Sequence, residues 1–204
     1  MRTTAMAGIF LLVTGLALMP PGHAAAEDAP GALVKSTVDD VLAVVRQNHD
    51  QQTLRRLAAQ KVLPHFDFAA MTQLAVGRAW RQATPSQQQA LTNNFRTLLV
   101  NTYTAALSRA ATGEEAVEIK PSAGQGDANA TTVKTVVTAP GKPPTAIDYR
   151  MKKETDGWKV VDVVVENVSL VTNYRSTFSE QINRSGIDGL IKALENKNQP
   201  SGES

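Results

Sequence analysis

His65 and Asp67 stand two residues apart, close enough in the chain to be read as a base and its orienter. Asp162 and Glu166 lie on the same face of an alternating segment, about two pleats apart, and invite reading as an acid–base pair. Each residue also has an ordinary use. Asp67 opens a short helical pattern and suits its N-cap, and His65 falls in the loop after Pro64. Asp162 and Glu166 suit the solvated outer face of a strand, and that is the expectation for them. Of the chain's three histidines, His49 and His65 lie beyond the N-terminal segment, and neither has a second ligand at a spacing that shares its helix face. No metal centre or cofactor is expected. There is no G-x-S-x-G elbow, Gly-rich phosphate loop or zinc-protease helix. A Ser–His–Asp hydrolase assembled from distant residues stays formally open, but nothing points to it.

Composition narrows the choice further. The 204 residues carry 21 Lys+Arg against 19 Asp+Glu, a formal net charge of +2, which argues against a nucleic-acid binder. The absence of Cys excludes disulfides, thiolate metal sites, thiol nucleophiles and lipid anchors attached through Cys. Hydrophobic residues make up 42% and aromatics only 5%, so apolar surfaces must be built mainly from Ala, Val and Leu. At the N-terminus Arg2 precedes the apolar run Ala5 to Met19, and Pro20, Pro21 and Gly22 precede Ala24, Ala25 and Ala26. This is the layout of a cleaved secretory signal peptide over residues 1–26, and it implies a periplasmic product.

The remaining residues read as helices, then strands, then helices. Val34, Val38, Val41, Leu42 and Val45 recur at helical spacing within Gly31 to His49. Leu54, Leu57 and Ala58 mark a second helix that ends near Leu63, before Pro64. Asp67 caps a third, with Gly77 at its end. Thr84, Pro85 and Gln87 form a cap, a first-turn proline and a capping-box partner. The helix they open carries Leu91, Phe95, Leu98, Leu99, Thr102 and Ala106 on one stripe and runs for about 40 Å to near Gly113. From Val117 to Val168 the period changes to two. Val133, Thr135 and Val137, then Ile147, Tyr149 and Met151, then Val161, Val163 and Val165 each line one face, as a meander of about four strands. Leu170, Tyr174, Phe178 and Ile182 restore the helical period, and Ser185 caps a last helix. The expected architecture is α+β: residues 27–195 as a single domain, with a helical part at 31–113, the sheet at 114–168 and C-terminal helices at 169–195. Residues 196–204 are expected to be a disordered tail.

The apolar sheet face must be covered by the helical stripes. It is either an ordinary core or one wall of a ligand cavity, and periodicity leaves the choice open.

Particular runs of residues add information. Val62-Leu63-Pro64-His65-Phe66-Asp67-Phe68, Met71-Thr72, Leu74-Ala75-Val76-Gly77-Arg78 and Trp80 resemble the MlaC family, also called toluene-tolerance auxiliary proteins. So do Thr84-Pro85, Gln87, Phe95, Leu98-Leu99 and Thr102-Tyr103, and so do Gly157-Trp158-Lys159-Val160, Asp162-Val163, Val165-Glu166, Val168-Ser169-Leu170, Tyr174-Arg175 and Gly186-Ile187-Asp188-Gly189-Leu190. The resemblance is colinear from Val34 to Leu194. It departs at Asn167, where the family usually has Gly, and at Val161, where an aromatic is common.

The resemblance implies an NTF2-like curved antiparallel sheet of about four strands, packed with a helical subdomain around an apolar lipid cavity. It implies a periplasmic carrier, not an enzyme, that binds a phospholipid by its acyl chains. Its partners would be an outer-membrane lipoprotein–porin complex and the inner-membrane MCE-domain subunit of an ABC transporter. Inward parity within the matching segments nominates Tyr103, Leu107, Val133, Val137, Ile147, Tyr149, Val163, Val165, Val168 and Val171 as cavity lining. A hopanoid or other hydrophobic ligand, or a non-catalytic docking adaptor, are the alternatives.

Overall fold

A computed structural model describes residues 29–47, 50–110, 114–120 and 127–199, without the side chains of 107–110. The segment read as a signal peptide, His49 and residues 200–204 lie outside the described residues.

Local sequence explains where the helices start and stop. Helix α1 (Ala29–Val45) is followed by α2 (Gln51–Leu57), whose N-cap Asp50 accepts a hydrogen bond from Thr53 N. A π-turn (Ala58–Val62) and a 3-10 turn (Leu63–His65) extend α2 to Pro64, where the missing N–H ends regular helix. Asp67 caps α3 (Phe68–Val76), its Oδ1 accepting from Ala70 N at 2.9 Å. Gly77 ends α3 with φ 68° and ψ −131°, a conformation only glycine adopts without strain. Thr84 and Gln87 form the expected reciprocal box, at 2.9 and 3.2 Å, ahead of α4 (Pro85–Ala110).

The stripe on α4 is buried at Leu91, Phe95, Leu98 and Leu99. It packs against Met71, Ala75 and Val76 of α3 and against Val171, Phe178, Leu190 and Leu194 of α5 (Leu170–Asn198). Phe95 lies edge-on to both Tyr174 and Phe178, with ring centroids 5.0 and 5.2 Å away. Beyond Leu99 the stripe fades, because Thr102 and Ala106 are exposed. The expected break between two C-terminal helices sits at Gly186, at φ 72° inside α5, while the Ser185 hydroxyl donates to Gln181 O. Helix α5 continues past Glu195 to Asn198, whose side chain donates to Asn94 O on α4, so residues 196–198 are helical where a disordered tail is expected.

The sheet is a five-stranded antiparallel meander in chain order: β1 (Ala116–Lys120), β2 (Ala130–Thr138), β3 (Thr145–Glu154), β4 (Gly157–Val165) and the two-residue β5 (Val168–Ser169). Val165 pairs with Val168, which leaves Glu166 and Asn167 as the whole of the last turn. Their φ values of 48° and 65° are what a two-residue hairpin with right-handed twist demands. Asn is one of the few non-glycine residues that tolerates that backbone.

A β-bulge corrects the expected parity. Arg150 pairs with Asp162, but Met151 pairs with Val160, so Val161 is the extra residue. Val160 joins Val133 and Met151 in the core beneath α1, whereas Val161 lines a groove on the opposite face with Lys134 and Arg150. The helices attach along the free edge of β4, where Phe66 bridges Val160 and Asp67 N donates to Val160 O at 3.0 Å.

Candidate ligand-binding site

The strand register gathers most of the nominated residues. In an antiparallel pair, directly opposed residues share a face. One row across the sheet is Ile119, Thr135, Ile147, Val165 and Val168, and the next is Val133, Tyr149 and Val163. Val137 lies beside the first row, opposite Val117 and Thr145. Seven of the ten nominated side chains therefore form one continuous surface. Thr135 does not make it polar, because its hydroxyl donates to Ile147 O at 2.7 Å within the sheet. Tyr149 is partly buried against this cluster, and desolvation there pushes its phenol up to about 12.

Cover is unequal along this face. Leu33, Val34 and Val38 of α1 pack with Val133, Met151 and Val160, and these side chains close one end. Phe66, Tyr149, Trp158 and Val163 flank the cluster. At the far end Val165 and Val168 are 38% and 60% exposed, although both are apolar and continue the same face. The surface runs from a closed end under α1 to an open end at the β4–β5 turn.

The other nominations stand elsewhere. Val171 belongs to the helical core, where it packs with Phe178 and its neighbours. Tyr103 lies on α4, 48% exposed, and its phenol is pushed up by burial and then by Tyr174. The Leu107 side chain lies outside the described residues. Sequence reasoning missed Ile119 and Val160 on this face and did not assign α1 to it. Period-two alternation marked Ile119, but only the register shows which strand it faces.

Asp162 and Glu166 do not converge on one site. Asp162 is 1% exposed, which overturns the solvated outer-face expectation. Its Oδ2 accepts from Arg150 Nη1 at 3.0 Å and from Ser169 Oγ at 2.7 Å, and its Oδ1 accepts from Val171 N at 3.2 Å. Ser169 is in turn the N-cap of α5. A buried carboxylate thus ties β3, β4 and β5 to the first turn of α5, with each oxygen engaged. Glu166 is exposed, and its carboxylate accepts from Ala146 N at the start of the neighbouring strand β3. His65 closes a 3-10 turn, while Asp67 caps α3.

A curved open sheet with one apolar face, clasped along its edge by a helical bundle, defines an α+β protein of the kind that offers apolar surface to a ligand. Residues 35–196 match the MlaC protein family, and the chain belongs to that family. It is similar to a phospholipid-binding protein from Ralstonia solanacearum whose structure was solved in complex with a phospholipid. The two are 37% identical, with a TM-score of 0.74 over 82% of this chain and 95% of that one. It is also 23% identical over 186 residues to the intermembrane phospholipid transport system binding protein MlaC of Haemophilus influenzae, covering 87% of this chain and 86% of the relative.

Proposed function

We propose that this chain is a periplasmic phospholipid carrier that holds acyl chains against the apolar sheet face and performs no covalent chemistry. The observation that carries the reading is the apolar face itself, closed under α1 and exposed at Val165 and Val168. Likeness to a protein solved with a phospholipid, and to a phospholipid transport binding protein, supports the ligand class. The seven nominated side chains on the face, with Tyr103 and Leu107 as candidates on α4, are the proposed contacts.

Energetics then favour hand-over without passage through water. Burying acyl chain is worth about 0.8 kcal/mol per CH₂, so two chains of ~14 such groups gain on the order of 20 kcal/mol before ordering costs. Spontaneous release into water is correspondingly slow. Transfer proceeds by docking on membrane complexes, which the resemblance names as an outer-membrane lipoprotein–porin complex and an inner-membrane MCE-domain subunit. Native mass spectrometry of detergent-free protein from its own periplasm, with organic extraction of the same sample, tests the reading. Stoichiometric phospholipid is expected. A hopanoid mass changes the ligand class, and an apo mass that persists after incubation with phospholipid vesicles refutes the proposal.

A further inference from the structure

The face of the sheet opposite the apolar one carries a groove of about 500 Å³, where Thr132, Lys134, Asp148, Arg150 and Lys152 stand beside the apolar Val161 and Val164. Three cations and one anion meet there. Arg150 is anchored from behind by Asp162, which is itself buried, so the groove is presented with the guanidinium and not with the carboxylate. Among the described residues, no carboxylate lies within ion-pairing distance of Lys134 or Lys152. Asp148 stands directly opposite Lys134 across the β2–β3 ladder.

The spacing of these charges points to one kind of occupant. Asp148, Arg150 and Lys152 are alternate residues of β3 and follow one another at about 6.8 Å, twice the rise of a strand residue. Alternate side chains of any extended chain repeat at that distance. The row therefore matches an extended segment with acidic residues at two alternate positions, over Arg150 and Lys152, followed by a neutral or basic one over Asp148. A lone phosphate would need cations that converge on a point, and these are strung along a strand. A lipid held on the apolar face is separated from the groove by the sheet.

We infer that this groove docks an extended acidic segment of a partner protein, with carboxylates at alternate positions seated on Arg150 and Lys152. Charge complementarity sets the register, and binding weakens as salt rises. The surface is independent of what fills the apolar face.

The test uses fluorescence anisotropy of a labelled peptide with two alternate glutamates followed, two positions on, by a lysine. Its glutamine counterpart, inorganic phosphate and phosphatidylglycerol vesicles serve as separate probes. The glutamate peptide is expected to bind, and to weaken about tenfold for Lys152→Glu and further for the Lys134→Glu/Lys152→Glu pair. Both substitutions are at exposed positions, and circular dichroism checks the fold of each variant. Equal binding of the glutamine peptide, or undiminished affinity in the double variant, overturns the inference. So does displacement of the peptide by equimolar phosphate, or lysine-dependent co-flotation with the vesicles when the peptide fails to bind.

Discussion

Replacing Asp162 by Ala removes three hydrogen bonds from a site that is 1% exposed. The Val171 N–H, buried at the start of α5, loses its acceptor at a cost of about 1–3 kcal/mol. The Ser169 hydroxyl still accepts from Thr172 N but loses its own acceptor, which costs about 0.5–1.5 kcal/mol. Arg150 has a side chain 55% exposed and regains water, so its ion pair contributes only about 1 kcal/mol. The sum is about 2.5–5.5 kcal/mol. For a protein of this size that corresponds to a fall in Tm on the order of 10 °C. Asp162→Asn keeps an oxygen for Val171 N and is expected to lose only about 1–2 kcal/mol. Calorimetry of both variants, with an Arg150→Met double-mutant cycle, checks the apportionment. An Asp162→Ala protein that melts within about 2 °C of the parent refutes the assignment of Asp162 as a structural tie. Loss of a chemical turnover in Asp162→Asn at unchanged Tm would restore the acid–base reading.

Three further outcomes follow from the same structure. The Tyr149 phenol is raised by burial from its ordinary 10.0 to about 12, so its neutral form stabilises the fold fully below pH 10 and that contribution is lost as pH climbs toward 12. Two pH units correspond to about 2–3 kcal/mol, and denaturant melts should show Tyr149→Phe losing less stability than the parent over this window; parallel curves refute it. Gly77→Ala should cost about 2–3 kcal/mol, because a Cβ at φ 68° would also stand 3.2 Å from the Arg175 guanidinium; a Tm shift under about 1 °C contradicts the geometry. Asn167→Gly should be neutral within about 0.5 kcal/mol while Asn167→Val costs about 1–2 kcal/mol, since a β-branched residue resists φ 65°; equal stabilities would mean that the turn is not left-handed in solution.

The sequence by itself determined whatever depends on near neighbours. Asp67, the Thr84–Gln87 box, Pro64 and Gly77 set helix ends because a cap, a missing N–H or a positive φ acts within one turn of chain. The order of helices, strands and helices followed from a period that switches between 3.6 and 2, and so did the apolar parity of Val133, Ile147 and Tyr149. Tertiary structure decided three things that no local pattern holds. One extra residue at Val161 turned Val160 toward α1 and Val161 toward the opposite face, where both are buried, because side-chain direction in a sheet is set by register with the next strand. Asp162 became a buried tie because Arg150, Ser169 and the first turn of α5 converge on it, and burial of a charge is tolerable only where such partners meet. Val171 entered the helical core while Val165 and Val168 stayed open to solvent, since exposure depends on where α1 and the helical bundle stop covering the sheet.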